Sequence, residues 1–102
     1  MDIAAATDGF SAMGSQPRFS VLQVLVKAGR GGLPTGVIGE RTGIPASTLA
    51  HHIKLLAAAD LIEQERQGRV IVCRANFDHL QALAGYILQE CCADQLQKED
   101  AA

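Results

Sequence analysis

The sequence predicts a mostly α-helical domain with one small β-hairpin, arranged as a winged helix-turn-helix. Three observations carry that prediction. In "LPTGVIGERTGIPASTLAHHIKLLAAADLIEQ" two short helical stretches are joined at a glycine, and the second has one apolar and one polar face. "LIEQERQGRVIVCRA" follows at once, with two extended runs on either side of Gln67-Gly68. An apolar stripe at helical spacing then begins at Phe77.

The elements are read in chain order. Residues 2–13 place Ile3, Ala6, Phe10 and Met13 at helical spacing, which predicts a short amphipathic helix. In "GSQPRFSVLQVLVKAGRGG", Ser15 is a candidate N-cap and Pro17 suits a first turn. Phe19, Leu22, Leu25 and Val26 are expected to form the buried face of this second helix. Gly29, Gly31 and Gly32 end it, with Lys27 in its last turn, where a cation suits the helix dipole. Thr35 is a candidate cap for a helix running to Arg41, with Val37 and Ile38 inward. Gly43 supplies a tight turn before a helix from about Ala46 to Ala59. On that helix Leu49, Ile53 and Leu56 share one face, and Ser47, Thr48, His51 and Lys54 share the other.

A pair of helices with one polar face is equally an ordinary αα-hairpin with a solvated side. The next segment decides between them. Two extended runs around a glycine loop form a β-hairpin, and Arg66 and Arg69 flank its tip. A helix-turn-helix followed directly by a basic-tipped hairpin is a winged helix. Finally Phe77, Leu80, Leu83, Ala84, Ile87, Leu88 and Cys91 make one stripe, predicting a last helix of about five turns. A small domain would bury such a stripe against a partner. The DNA-binding core is thus expected over about 34–75, and dimerisation helices over about 2–13 and 77–95.

Bulk properties narrow the function. A chain of 102 residues is one domain by length, 1–102, and only just long enough to bury a useful core. Aromatic residues are scarce, so the core is built from Leu, Ile, Val and Ala. No apolar run reaches membrane-spanning length, and "MDIAAATDGF" has acids in place of a basic n-region. The expected location is the cytoplasm, with no membrane partner and with thiols kept reduced. Three cysteines without a regular framework also argue against disulfide stapling. The net charge of −2 alone would discourage nucleic-acid binding, but its distribution is uneven. From Arg41 to Arg74 there are five basic residues against three acids, and from Asp78 onward five acids and one lysine. An enzyme is not expected. There is no acid/base pair or nucleophile elbow, and the Gly29–Gly36 cluster lacks the Lys-Ser/Thr of a phosphate loop.

With these elements in place, the chain resembles the ArsR/SmtB family of metal- and metalloid-responsive repressors, from about Phe10 to Cys92. The likeness lies in "FSAMGSQPRFSVLQVL" and in the run Ser47-Thr48-Leu49-Ala50-His51-His52-Ile53-Lys54-x-Leu56, followed by Ala59-Asp60-Leu61-Ile62 and Gly68-Arg69. The resemblance implies a homodimer, paired through its first and last helices, that blocks transcription until an inducer binds. Double-stranded operator DNA with an inverted repeat is the implied partner. Ser47, Thr48 and His51 are candidates for base edges or nearby phosphates, and Lys54 for phosphate. Arg66 and Arg69 should touch backbone or minor groove. His52 either packs against its own domain or reaches DNA, while Arg41 and Arg74 are equally explained as solvated cations. Two departures stand out. Pro45 and Ala46 replace the usual serine cap and polar residue, and Gly39 replaces a helix-favouring alanine at a cost of about 1 kcal/mol.

The family's inducer sites can be tried against the sequence in turn. A Cys-x-Cys pair at the recognition helix is absent from "GIPASTLAHH". A zinc-type site with Asp-x-His and His-x-x-Glu on the last helix is not matched either, because Cys91-Cys92-Ala93-Asp94 stands where its histidines would be. His79 is then expected at the surface. Cys73, Cys91 and Cys92 remain as candidate inducer ligands. Thiolates without histidine select soft, thiophilic species rather than zinc. The resemblance implies trivalent arsenicals, namely As(III), methyl-As(III) or Sb(III), with no cofactor required. On one helix Cys91 should face the dimer interface and Cys92 should point about 100° away. Cys73, on the inner face of the hairpin, is either a small core thiol or a further ligand. A thiol-redox or reactive-sulfur switch using the same cysteines is the alternative.

Overall fold

In the computed structural model, which describes residues 1–95, helices α1 (Ile3–Met13) and α2 (Gln16–Ala28) come first. A two-residue strand β1 (Leu33–Pro34) leads into α3 (Thr35–Thr42) and α4 (Ala46–Ala58). The wing is β2 (Ile62–Gln67) and β3 (Val70–Ala75), and α5 (Phe77–Leu88) closes the order. This is the expected winged helix-turn-helix. No helix among the described residues is long and apolar enough to cross a membrane.

Local chemistry explains most of the boundaries. Asp2 caps α1 by accepting from the Ala5 N–H at 2.8 Å, and Ser15 caps α2 by accepting from the Arg18 N–H. The cap expected at Thr35 is not formed. Leu33 and Pro34 pair with Cys73 and Val72 of β3, so the backbone stays extended through Pro34 and Thr35 becomes the first helical residue. The sheet therefore has three antiparallel strands in the order β1-β3-β2, one more than the hairpin the sequence predicts. Pro34 fits there because β1 is an edge strand.

One apolar core joins every helix to the sheet. Leu25, Ile38, Leu56, Leu61 and Leu83 are among its fully buried side chains. Phe19 and Val26, expected inside, are instead each 44 % exposed. Helix α2 turns Val21, Leu22 and Leu25 inward, which rolls its Phe19/Val26 edge outward. That edge joins Phe10, Met13, Leu80 and Ile87 around an open groove of about 620 Å³.

Helix α5 is shorter than its stripe suggests. It ends at Leu88 rather than near residue 95, and a separate helical turn follows at 93–95. Only Leu83 is buried along it, whereas Ile87 and Leu88 are each 64 % exposed. Helices persist chiefly where an apolar face is packed, and Tyr86 is the last α5 residue packed against the core among the described residues. At the other end, Gly9 lets α1 approach α5 closely, since a Cβ there would stand 2.9 Å from Leu83 Cδ1.

Gly32 is the tightest backbone position. It has φ 71°, and a Cβ would run into the Cys73 carbonyl oxygen and the Arg74 side chain. Gly32→Ala should therefore lose about 2 kcal/mol or more. Gly36→Ala, in open space on α3, should gain about 0.5–1 kcal/mol. Urea unfolding followed by circular dichroism reads both changes.

Candidate nucleic-acid interface and thiol site

The turn between α3 and α4 is built around Gly43, which adopts φ 72° and donates its N–H to the Gly39 carbonyl at 2.9 Å. Thr42 Oγ1 donates to the Ile38 carbonyl and accepts from the Ile44 N–H, tying the turn down. Pro45 then holds the N-cap position of α4 without a side-chain bond. The missing serine cap leaves the helix start where it was expected, but the first-turn amides have no side-chain acceptor. Leu49, Ile53 and Leu56 anchor α4 in the core, and Ser47, Thr48, His51 and Lys54 are exposed. His52 is half-buried, and its buried Nδ1 has no partner among the described residues. His79 is also half-buried rather than at the surface, with Nε2 unpaired. Near it, Asn76 caps α5 by accepting from the His79 backbone N–H.

The wing loop is Gly68-Arg69, one residue later than the dipeptide read from the sequence, because Gln67 still pairs with Val70. Gly68 has φ 65° and Arg69 does not share it, the combination of a type II′ turn. Arg69 thus stands on the tip itself, and Arg66 folds back, its Nε donating to the Gly68 carbonyl. Arg74 is not a free cation. It forms an ion pair with Glu65 across the hairpin. The Arg74 hydrogen bond, helped by one from Gln67 and by the charge of Arg74, holds the Glu65 carboxyl below its usual range.

The cysteines fall into two groups. Cys73, on the central strand, is fully buried, and desolvation pushes its thiol pKa up. Cys91 and Cys92 are exposed and lie past the end of α5, so Cys91 does not continue the apolar stripe of that helix as expected. The Cys91 N–H donates to the Leu88 carbonyl in a tight turn, and Cys92 adopts φ 64°. The two sulfurs share a hydrogen bond at 3.3 Å. The divergence expected of neighbours on one helix is gone because the helix itself has ended. Among the described residues, no three Cys, His, Asp or Glu side chains gather into a metal-ligand group.

Residues 15–65, half of the chain, match the family model of a helix-turn-helix domain. The chain belongs to this helix-turn-helix family. The matched span of the helix-turn-helix protein runs from the Ser15 cap of α2 through α4 into β2. An ArsR-like transcriptional regulator from Rhodococcus sp. RHA1 superposes with a TM-score of 0.74 at 24% identity, over 96% of this chain and 89% of that one. A homodimeric winged helix-turn-helix DNA-binding domain from Mycobacterium bovis, a possible ArsR-family regulator, gives 0.70 at 20% identity over 94% and 85%. A possible transcriptional regulator for arsenical resistance gives 0.69 at 19% over 92% and 94%. No curated protein matches the chain. At these identities the solved structures establish a shared fold, the one expected from the ArsR/SmtB resemblance.

Two measurements test the site's chemistry. A thiol-specific colorimetric reagent should titrate two thiols quickly in the native helix-turn-helix protein, and the third, Cys73, only on unfolding. Glu65, whose folded pKa is depressed, stabilises the wing above the ordinary glutamate range and loses that contribution as pH falls through its folded value. In Arg74→Met its midpoint, followed by carbon-detected NMR, should rise toward that ordinary range.

Proposed function

We propose that the protein is an ArsR-type transcriptional repressor. It acts as a homodimer paired through α1 and α5, and releases an inverted-repeat operator when a trivalent arsenical binds cysteine thiolates. The observation that carries this reading is the pair of exposed, adjacent thiols at the end of α5, in a chain whose α4 leaves a polar face free. Two relatives of the fold lend support, one a homodimer and one a possible regulator for arsenical resistance. The open groove beside α5 supports pairing, because its apolar rim includes Phe19, Val26 and Ile87.

In this reading α4 enters the major groove. Ser47, Thr48 and His51 meet base edges or nearby phosphates, and Lys54 meets phosphate. The uncapped first-turn amides of α4 add donors for a phosphate oxygen. Arg69 at the wing tip and Arg66 beside it meet backbone or minor groove, and His52 serves the packing of α4. An arsenical at the end of α5 alters how the two protomers pair, and with it the spacing of the two α4 helices. A coupling of about 1–3 kcal/mol is enough for derepression. The close approach of Cys91 and Cys92 also favours a second reading, a thiol switch that oxidises at this pair.

Lys54→Ala and Arg69→Ala should each weaken operator binding at every sequence. Each should also flatten the logarithmic salt dependence by about two, since every substitution occurs twice in a dimer. Fluorescence anisotropy at several salt concentrations reads this directly. In the same assay arsenite or methylarsenite should release the operator. Operator binding untouched by both, with dithiothreitol-reversible release by peroxide, would replace the arsenical reading with the redox one.

A further inference from the structure

Away from the thiols and from the groove beside α5, a cavity of about 320 Å³ lies between α3, α4 and the wing. Leu49 and Ile53, both buried, line it on the core side, whereas Gly36, Ala50 and Ile71 are exposed at its mouth. Ile71 stands two residues before Cys73 on β3 and so shares its face of the sheet. Cys73 is sealed on that face, yet Ile71 is 36 % exposed, where α3 and α4 present glycine and alanine to the cavity.

We propose that this cavity binds a small uncharged aromatic molecule of one or two rings with a single hydroxyl, a phenol or naphthol by class. The site is separate from the cysteines and stands or falls independently of the arsenical reading.

The glycines of α3 are the first support. Gly36 and Gly39 fall within an eight-residue helix, where each is about 1 kcal/mol less favourable than alanine. The backbone requires neither, since neither has a positive φ. A Cβ on Gly36 would meet nothing within 4 Å, and one on Gly39 would stand 3.6 Å from Leu49 Cδ2, an ordinary contact. What these two positions do is leave the cavity open.

Size is the second. Ligand pockets commonly measure about 300–1,000 Å³, with mostly apolar walls and a few polar groups. An apolar cavity of about 150 Å³ takes a benzene ring. The larger space here has room for two fused rings.

Charge is the third. The lining holds no acidic or basic side chain, and its hydrogen-bonding side chains are Thr35 and Gln64. Thr35 is half-buried, and its hydroxyl does not cap α3. A carboxylate on the ligand would lose hydration against Leu49 and Ile53 with no cation in the lining to offset the loss. A neutral hydroxyl can instead exchange a hydrogen bond with Thr35 or Gln64. Rigid rings also lose little conformational freedom on entry.

The test titrates isotope-labelled full-length protein with naphthol, phenol or naphthoate and follows the backbone amides by two-dimensional NMR. Naphthol should give saturable shifts centred on Gly36, Gly39, Ala50 and Ile71, with phenol weaker. Naphthoate should bind at least about tenfold more weakly than naphthol. Gly36→Leu and Ala50→Leu fill the space from opposite helices, and each should lower naphthol affinity by about tenfold or more. Circular dichroism establishes that each variant is folded, and either one suffices if the other is not. Four results would each overturn the proposal: no saturable shift with naphthol, shifts centred instead on Phe19 and Val26, naphthoate binding as tightly as naphthol, or undiminished affinity in a folded variant. The wild-type titrations decide by themselves if neither variant folds.

Discussion

Asn76 holds the two halves of this molecule in register. Its backbone N–H donates to the Leu61 carbonyl at 2.9 Å, and its side-chain amide donates to the Asp60 carbonyl at 3.0 Å. Its side-chain oxygen accepts from the His79 N–H and so caps α5. One residue thereby joins the turn that leaves α4 to the first turn of α5. The turn it grips is itself strained, since Asp60 adopts φ 62° without being glycine. The start of α5 is thereby tied to the turn that follows the helix with the polar face.

The protomer's core leaves part of its apolar surface uncovered. Small domains bury a limited share of their surface, and this one spends its apolar residues unevenly. Leu25, Ile38, Leu56 and Leu61 are sealed inside, while Ile3, Phe19, Val26, Ile87 and Leu88 remain outside. The close contact of Gly9 with Leu83 brings α1 against α5, and of the uncovered residues Phe19, Val26 and Ile87 line one groove. A groove of that kind is a natural seat for a second protomer. Cys91 and Cys92 lie past the end of α5, the helix that contributes Ile87 to this groove.

The thiols separate by environment. A buried thiol with a raised pKa presents little thiolate, and Cys73 is of that type. Exposed neighbours beyond a helix end are free to approach each other and to meet a ligand from solvent. Residue type made all three cysteines candidates. Burial and backbone conformation set Cys91 and Cys92 apart from Cys73.

Periodicity and turn chemistry in the sequence determined the order of elements, the core face of α4, the Ser15 cap, the Gly43 turn and the hairpin with arginines near its tip. These depend on neighbours within a few residues, where steric and hydrogen-bonding rules act directly. Tertiary structure decided what depends on distant partners. The pairing of Leu33-Pro34 with β3 moved the start of α3 and added a strand. The packing of α2 chose Val21 over Phe19 and Val26. Beyond Tyr86 the α5 residues are exposed, and the helix ends before Cys91, so two thiols that would diverge on a helix stand as a close pair. A stripe of apolar residues shows which side of a helix wants a partner. Only the fold decides whether a partner is there, and so where the helix stops.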